Sequence, residues 1–356
     1  MQPLVPVHTI LSRLRLRQLM LLIALEEHST LNRAADHLGI SQPGATKALN
    51  ELEALFGTKL FERTAQGLTP NEFGRCVTRY ARLIHSDLYH MREEFASIRQ
   101  GTGGRLAVGA ISGAIPYVSS LLSRLSVAHP EVDVSIIEGT SDQLLGHLDE
   151  GRLELVFCRT AVSQHEQKYQ SLEEFGEQMA LIVNPRHALC SQPSVALRDL
   201  AGLRWVVYPA GMPMRIELER AFAQAGLDFP SSLIETSSAL SRLYLVHENT
   251  ALVAQTPYRI AKFGMKLGMA VRLPLEIESR RLSYALVKRK SAVLSAAAQL
   301  FLGILRDAQA EAQPQSQPAP AGMAPEASGH AAAPADCQAS GEAGPHAGRE
   351  MDKLRP

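Results

Sequence analysis

The chain has 356 residues, 46% of them hydrophobic, and its 36 Lys and Arg side chains balance 36 Asp and Glu. That content suffices for two or more domains with buried cores, while a net charge of zero excludes a protein-wide field drawing the chain to nucleic acid or to an anionic surface. No stretch approaches the roughly 20 apolar residues of a membrane-spanning helix. The apolar run 19–25 passes directly into Glu26-Glu27-His28 without a small-residue cleavage site, so it is expected to be a buried helix in a cytoplasmic protein with no membrane partner. Cys76, Cys158, Cys190 and Cys337 are far apart and lack histidines at ligand spacing, so reduced thiols are expected, with no metal site and no cofactor.

The first ordered pattern runs from 16 to 70. Thr30 and Ser41 each precede an apolar-periodic segment, where a hydroxyl can accept from a first-turn amide. Ala34, Ala35 and Leu38 form the packing face of one short helix, and Gly39 supplies a left-handed turn. Ala45, Ala48, Leu49, Leu52, Leu55 and Phe56 then follow the i, i+3, i+4, i+7 spacing of a second buried face. Gln42, Thr46, Lys47 and Asn50 are left outside, presenting an amide, a hydroxyl and an ammonium suited to base edges and phosphates in a major groove. A helical hairpin with a merely solvated face needs none of the two caps, the Ala-Ala pair and the glycine turn together. The pattern is therefore read as a DNA-binding helix-turn-helix. With net charge zero, phosphate contact must come from local clusters: Arg13, Arg15 and Arg17, or Lys59, Arg63, Arg75, Arg79 and Arg82, with Arg63 on the wing favoured.

Ser41-Gln42-Pro43, Leu52-Glu53, Gly57-Thr58-Lys59-Leu60-Phe61-Glu62-Arg63 and Leu68-Thr69-Pro70 resemble the LysR-type bacterial transcriptional regulators. Gly44 and Thr46 stand where alanine and serine are more usual, and Lys47 where arginine is common. The resemblance extends over about 14–308. It implies an α/β protein with an N-terminal winged helix-turn-helix (14–71), a long linker helix (72–100), and a two-lobed effector domain like a periplasmic binding protein (104–308). Thr30, Ser41, Gln42, Pro43, Thr46, Lys47, Asn50 and Arg63 are the expected DNA-binding residues. The expected partners are double-stranded DNA, a small-molecule effector, a second copy of the chain and RNA polymerase.

Between 71 and 100 there is no proline, and Val77, Ala81, Ile84, Leu88, Met91, Phe95 and Ile98 alternate spacings of four and three. Such a heptad seam favours pairing with another helix. The same stripe could instead lie on the chain's own core, and that reading stays open. The resemblance implies dimerisation through this helix, and two recognition helices on a two-fold axis imply an operator with approximate inverted symmetry.

After Gly101-Thr102-Gly103-Gly104 the pattern becomes strand 106–111, helix 115–129, strand 132–138, helix 141–151 and strand 153–158, implying a parallel sheet covered on both faces. Further strands are expected at 179–183, 204–208, 251–254 and 281–287, and helices at 214–225, 239–248 and 291–308. The hinges between two lobes are expected near 159–172 and 267–274. Ligands in such sheets bind beyond the carboxyl ends of strands, against helix N-termini. That selects Ser112, Gly113, Thr140, Ser141, Arg159, Ser237 and Ser238, whose hydroxyls and free amides suit a carboxylate. A small organic acid is favoured and a sugar is the runner-up. Ser141 and Ser238 could equally be plain helix caps, and Arg159 could pair with Glu173 or Glu174. Residues 208–214 are a candidate lid.

Gly101–Gly104 precedes a strand, so it is no dinucleotide fingerprint, and no Gly-x-Ser-x-Gly elbow or two-histidine zinc motif occurs; no enzymatic activity is expected. From 309 onward Ala, Pro, Gly, Gln and Ser dominate, too polar to offset chain entropy, so a disordered tail is expected. A ligand-independent repressor and a solute-binding α/β module with a helical appendage are the competing readings.

Overall fold

The computed structural model describes residues 5–312 apart from 66, 101–102, 193 and 276–281. It opens with α1 (Val7–Arg13), a short helix not expected from the sequence, followed by α2 (Leu16–His28), α3 (Leu31–His37) and α4 (Gln42–Phe56). The wing, β1 (Phe61–Thr64) with β2 (Gly67–Pro70), pairs antiparallel with Arg63 opposite Leu68. Thr30 Oγ1 accepts from the Arg33 amide at 3.3 Å and Ser41 Oγ from the Gly44 amide at 3.3 Å, so both caps form. Gly39 turns the chain at φ +63°. Leu21, Leu22 and Leu25 of α2, Ala34 and Ala35 of α3, and Ala45, Leu49 and Leu52 of α4 make one core. Glu53 is buried beneath α4, where its carboxylate accepts from the Leu60 amide at 2.9 Å and from Lys59 Nζ at 2.6 Å.

The long helix α5 (Glu72–Gln100) corrects the expectation of a seven-residue dimer seam. Ala81 is fully buried within the helix-turn-helix core, and Val77 and Ile84 pack against the same core. The reason is geometric: one turn of α5 after another runs along α2, which uses the seam's first half inside the chain. Beyond that contact Leu88, Met91 and Phe95 are exposed, the last two by 62% and 70%. The side chain of Ile98 lies outside the described residues.

The remaining elements are β3 (Arg105–Ala110), α6 (Ile115–Ala128), β4 (Asp133–Glu138), α7 (Ser141–Asp149), β5 (Leu155–Cys158) and β6 (Tyr169–Gly176). They continue with β7 (Met179–Val183), α8 (Leu197–Leu200), β8 (Arg204–Val207), α9 (Pro213–Gln224), β9 (Leu233–Glu235), α10 (Ala239–Glu248), β10 (Leu252–Pro257) and α11 (Tyr258–Lys266). The chain ends in β11 (Val271–Arg272), β12 (Ser283–Arg289) and α12 (Ala296–Ala312). Two five-stranded sheets result, ordered β4-β3-β5-β12-β6 and β11-β7-β10-β8-β9. The strands expected to be parallel, β4-β3-β5, are so, and β10-β8-β9 match them in the second sheet; antiparallel strands extend each sheet. Leu181 and Val183 face one core while Ile182 faces another, as a strand covered on both faces requires.

The first lobe-to-lobe crossing lies between β6 and β7, at Gly176–Met179, and not at 159–172. The sequence of β6, Tyr-Gln-Ser-Leu-Glu-Glu-Phe-Gly, has no apolar run because this edge strand is partly exposed, which is why it was not expected as a strand of the first lobe. The second crossing runs from β11 to β12, overlapping the expected 267–274. Helix α12 continues to Ala312, so 309–312 belong to it; the rest of the expected tail lies outside the described residues.

Candidate DNA-binding face and effector cleft

At the start of α4, Gln42, Pro43, Lys47 and Asn50 are exposed and Thr46 is half-buried; together they line one open groove. Gln42 Nε2 donates to Thr46 Oγ1 at 3.1 Å, and Thr46 Oγ1 donates back to the Gln42 carbonyl at 3.0 Å. The pair ties down one N–H of the exposed Gln42 amide, whose Oε1 and second N–H are the acceptor and donor types an adenine edge takes. Thr30 and Ser41 are engaged as helix caps, each accepting from an amide in the first turn of its own helix. Of the surrounding cations, Lys59 is paired with Glu53, and Arg82 bridges Glu26 and Glu27 at 3.0 Å each. Arg63 is exposed on the wing and has no carboxylate partner among the described residues. Lys47 lines the groove, while Arg63 is an exposed cation on the wing strand β1.

The expected effector residues gather where the lobes meet. Ser112 follows β3, and its Oγ donates to the Ser237 carbonyl of the second lobe at 3.5 Å. Gly113 is buried beside it; a Cβ there would overlap Glu177 Oε1 and stand 3.3 Å from Pro257 Cγ, so a larger residue would have to displace the Glu177 carboxylate. Thr140 caps α7, accepting from the Gln143 amide at 3.4 Å, with the Gln143 side chain returning to the Thr140 amide. Ser238 caps α10 through the Ser241 amide at 3.2 Å. Ser141 is not a cap: it is buried and its Oγ accepts from the Arg159 amide at 3.1 Å. Arg159 pairs with Glu177, and not with Glu173 or Glu174, because those two lie on β6 whereas Glu177 lies at the crossover just beyond it. Burial pushes the Glu177 carboxyl up, with Arg159 opposing.

Sequence reasoning missed several residues of this junction. Arg242 is fully buried on α10; its Nη2 donates to the Thr236 carbonyl at 2.5 Å and its guanidinium lies 3.4 Å from the centroid of the Tyr208 ring. Gln255 and Thr256, just before the end of β10, are fully buried, and Tyr284 is the second residue of β12. Tyr208 is buried as well, its hydroxyl pushed up by burial, with Arg242 opposing and Glu177 adding to the rise. Arg159 Nε, Glu177 Oε1, Arg242 Nε and Nη1, Gln255 Oε1, Thr256 Oγ1 and Tyr284 Oη are all buried and have no hydrogen-bond partner among the described residues. One signal could have revealed Arg242: it sits on the inward stripe Ala239-Arg242-Leu243-Val246, where spacing alone calls for an apolar residue. Beside the crossover, a cavity of about 490 Å³ is lined by Gly113, Glu177, Tyr258, Arg259, Lys262 and Tyr284. Among the described residues no group of His, Cys, Asp or Glu is arranged to hold a metal ion.

Comparison with known proteins accounts for both halves. Residues 16–75 match the bacterial regulatory helix-turn-helix protein, lysR family, and residues 99–310 the LysR substrate binding domain. The HTH-type transcriptional regulator GbpR of Azospirillum brasilense is 30% identical over 300 residues, covering 83% of this chain and 87% of that protein. GbpR of Rhizobium radiobacter is 30% identical over 258 residues, covering 71% and 85%. The crystal structure of CbnR, a LysR family transcriptional regulator, superposes with a TM-score of 0.57 at 22% identity, covering 83% of this chain and 99% of that one. With residues 16–75 matched to a regulatory helix-turn-helix, the reading as a solute-binding module with a helical appendage falls away. This chain belongs to the LysR family of bacterial transcriptional regulators, with a helix-turn-helix DNA-binding domain and a carboxyl-terminal effector-binding domain.

Proposed function

We propose that the protein binds an imperfect inverted repeat of duplex DNA as a dimer, and that a small organic acid held between the two lobes of its effector domain switches its activity. The observation that carries the switch is the buried polar junction at Ser112, Gly113, Arg159, Glu177, Arg242 and Thr256. Buried donors and acceptors left unpartnered cost about 1–3 kcal/mol each. A polar molecule seated at the junction offsets that cost, which gives the lobes a ligand-dependent arrangement. The hydroxyls of Ser112, Thr140 and Ser238 and the amides around Gly113 suit a carboxylate. A sugar is the second reading, favoured by the mixture of donors and acceptors among the unpartnered atoms.

Gln42, Thr46 and Lys47 are the base-reading group in this account, Asn50 and Pro43 flank them, and Arg63 contacts phosphate. Leu88, Met91 and Phe95 form the part of the α5 seam open to a partner helix. A ligand-dependent change in how a dimer sits on its operator alters access of RNA polymerase to the promoter. Thermal-shift screening of the full chain against aromatic acids, aliphatic acids and sugars tests the switch, because specific binding raises the midpoint with occupancy. Footprints with and without the resulting ligand must differ. An unchanged footprint supports the ligand-independent repressor instead.

A further inference from the structure

Among the described residues of the effector domain three arginines are buried, and two have carboxylate partners. Arg159 pairs with Glu177, while Arg215 reaches Glu219 at 2.6 Å and Glu235 at 3.1 Å. Arg242 is the most buried of the three and has no carboxylate partner among the described residues. One carbonyl and the ring and hydroxyl of Tyr208 compensate its charge only in part, and its Nε and Nη1 have no acceptor among the described residues. Burial accordingly lowers the hold of this guanidinium on its proton, with Tyr208 opposing.

Packing gives no reason for a charge at this position. Ala239, Leu243 and Val246 share the stripe, and an apolar side chain of similar volume would serve stability as well or better. The location gives a reason. The Thr236 carbonyl that holds Arg242 lies one residue before Ser237, whose own carbonyl meets Ser112 of the opposite lobe. The uncompensated charge therefore stands behind the wall of the second lobe at the lobe junction. Arg159, the cation expected from sequence to receive a ligand, is already neutralised by Glu177.

We infer that Arg242 is the anion receptor of the effector cleft, so that the effector carries a negatively charged group, carboxylate or phosphate, which accepts from its open donors when the lobes part. This rests on the reading of the junction as the effector site. It also moves the charge-recognising role from the first lobe to the second and gives Arg159 a structural one.

The test uses the full chain in scanning fluorimetry at matched ionic strength, with acetate, benzoate, inorganic phosphate and galactose as probes. The expected result is a rise in midpoint with acetate or benzoate, or with phosphate alone if the group is a phosphate. Arg242→Met should abolish that rise, Arg242→Lys should retain part of it, and Arg259→Ala, which removes the exposed cation at the crossover cavity, should keep it. Without added anion, Arg242→Met should melt no lower than wild type. The inference is overturned by an equal rise in Arg242→Met, by a lower anion-free midpoint or loss of folding in that variant, by loss of the rise in Arg259→Ala, or by no rise with any anion in wild type. Gly113→Val separates the two claims. Binding of galactose alone, lost in Gly113→Val, keeps the cleft and removes Arg242 from recognition. An anion effect that depends on Arg242 yet survives Gly113→Val removes the cleft reading instead.

Discussion

Arg159 and Glu177 form an ion pair at the lobe crossover of the effector domain, with side chains only 8% and 5% exposed. Arg159 follows β5 in the first lobe and Glu177 sits at the crossover to the second, so the pair fixes the chain where it changes lobes. Breaking such a pair strands a buried charge, whereas replacing both members with packed apolar groups is often near neutral. Glu177→Ala should lower unfolding free energy by about 3–5 kcal/mol, and Arg159→Met combined with Glu177→Met should recover most of it. Urea denaturation of the three proteins decides; equal losses in the single and double variants would show that the charges themselves are indispensable.

Gly113 lies against that carboxylate. Gly113→Ala should leave ligand-free operator binding unchanged and weaken effector response, because the added methyl collides with Glu177 and holds the lobes away from their Ser112–Ser237 contact. Footprinting with and without effector measures both quantities. A full response in the variant would mean that the lobes do not close at this glycine.

These residues show what the sequence discloses and what it hides. The caps Thr30 and Ser41, the Gly39 turn and the apolar stripe of α4 are local, so periodicity and capping chemistry identify them directly. The α5 seam was legible as a stripe, but not its division, because whether Ala81 faces α2 or a partner is a tertiary fact. The junction was half legible: Ser112, Gly113 and Thr140 lie at strand ends where topology predicts a site. Glu177, Gln255 and Thr256 come from the crossover and the far lobe, and only the fold brings them together. Strand β6 escaped because a polar edge strand carries no apolar run.

The corrected seam changes the prediction for assembly. Leu88→Asp with Phe95→Asp places unpaired charges on the open half of α5 and should give monomers by sedimentation, with operator affinity reduced because the half-sites are no longer linked. Ile84→Asp should instead unfold the helix-turn-helix core that Ile84 packs against. A dimer persisting in the double variant at micromolar concentration would place the interface elsewhere.

His187 supplies a pH dependence. Its Nδ1 accepts from the Leu189 amide at 3.1 Å, and burial holds its pKa below the ordinary histidine value. A histidine that binds its proton less readily when folded stabilises the protein above its unfolded pKa of about 6.5 and loses that contribution as pH falls toward the folded value. The wild-type midpoint should therefore fall between pH 7 and pH 5.5 more steeply than that of His187→Asn, whose Oδ1 can replace the acceptor without titrating. Parallel slopes would exclude His187 as the group responsible.

The central claim, that the outward face of α4 reads sequence while the wing holds the backbone, is tested most directly by selecting binding sites from randomised duplexes with wild type, Gln42→Ala and Arg63→Ala. Wild type should enrich an imperfect inverted repeat. Gln42→Ala should relax one base position in each half-site, at a cost of roughly 1–3 kcal/mol, while Arg63→Ala should keep the same preferences, weaken all sites alike and reduce the salt slope by about one. Identical base preferences in wild type and Gln42→Ala, or no enriched repeat at all, would contradict the account.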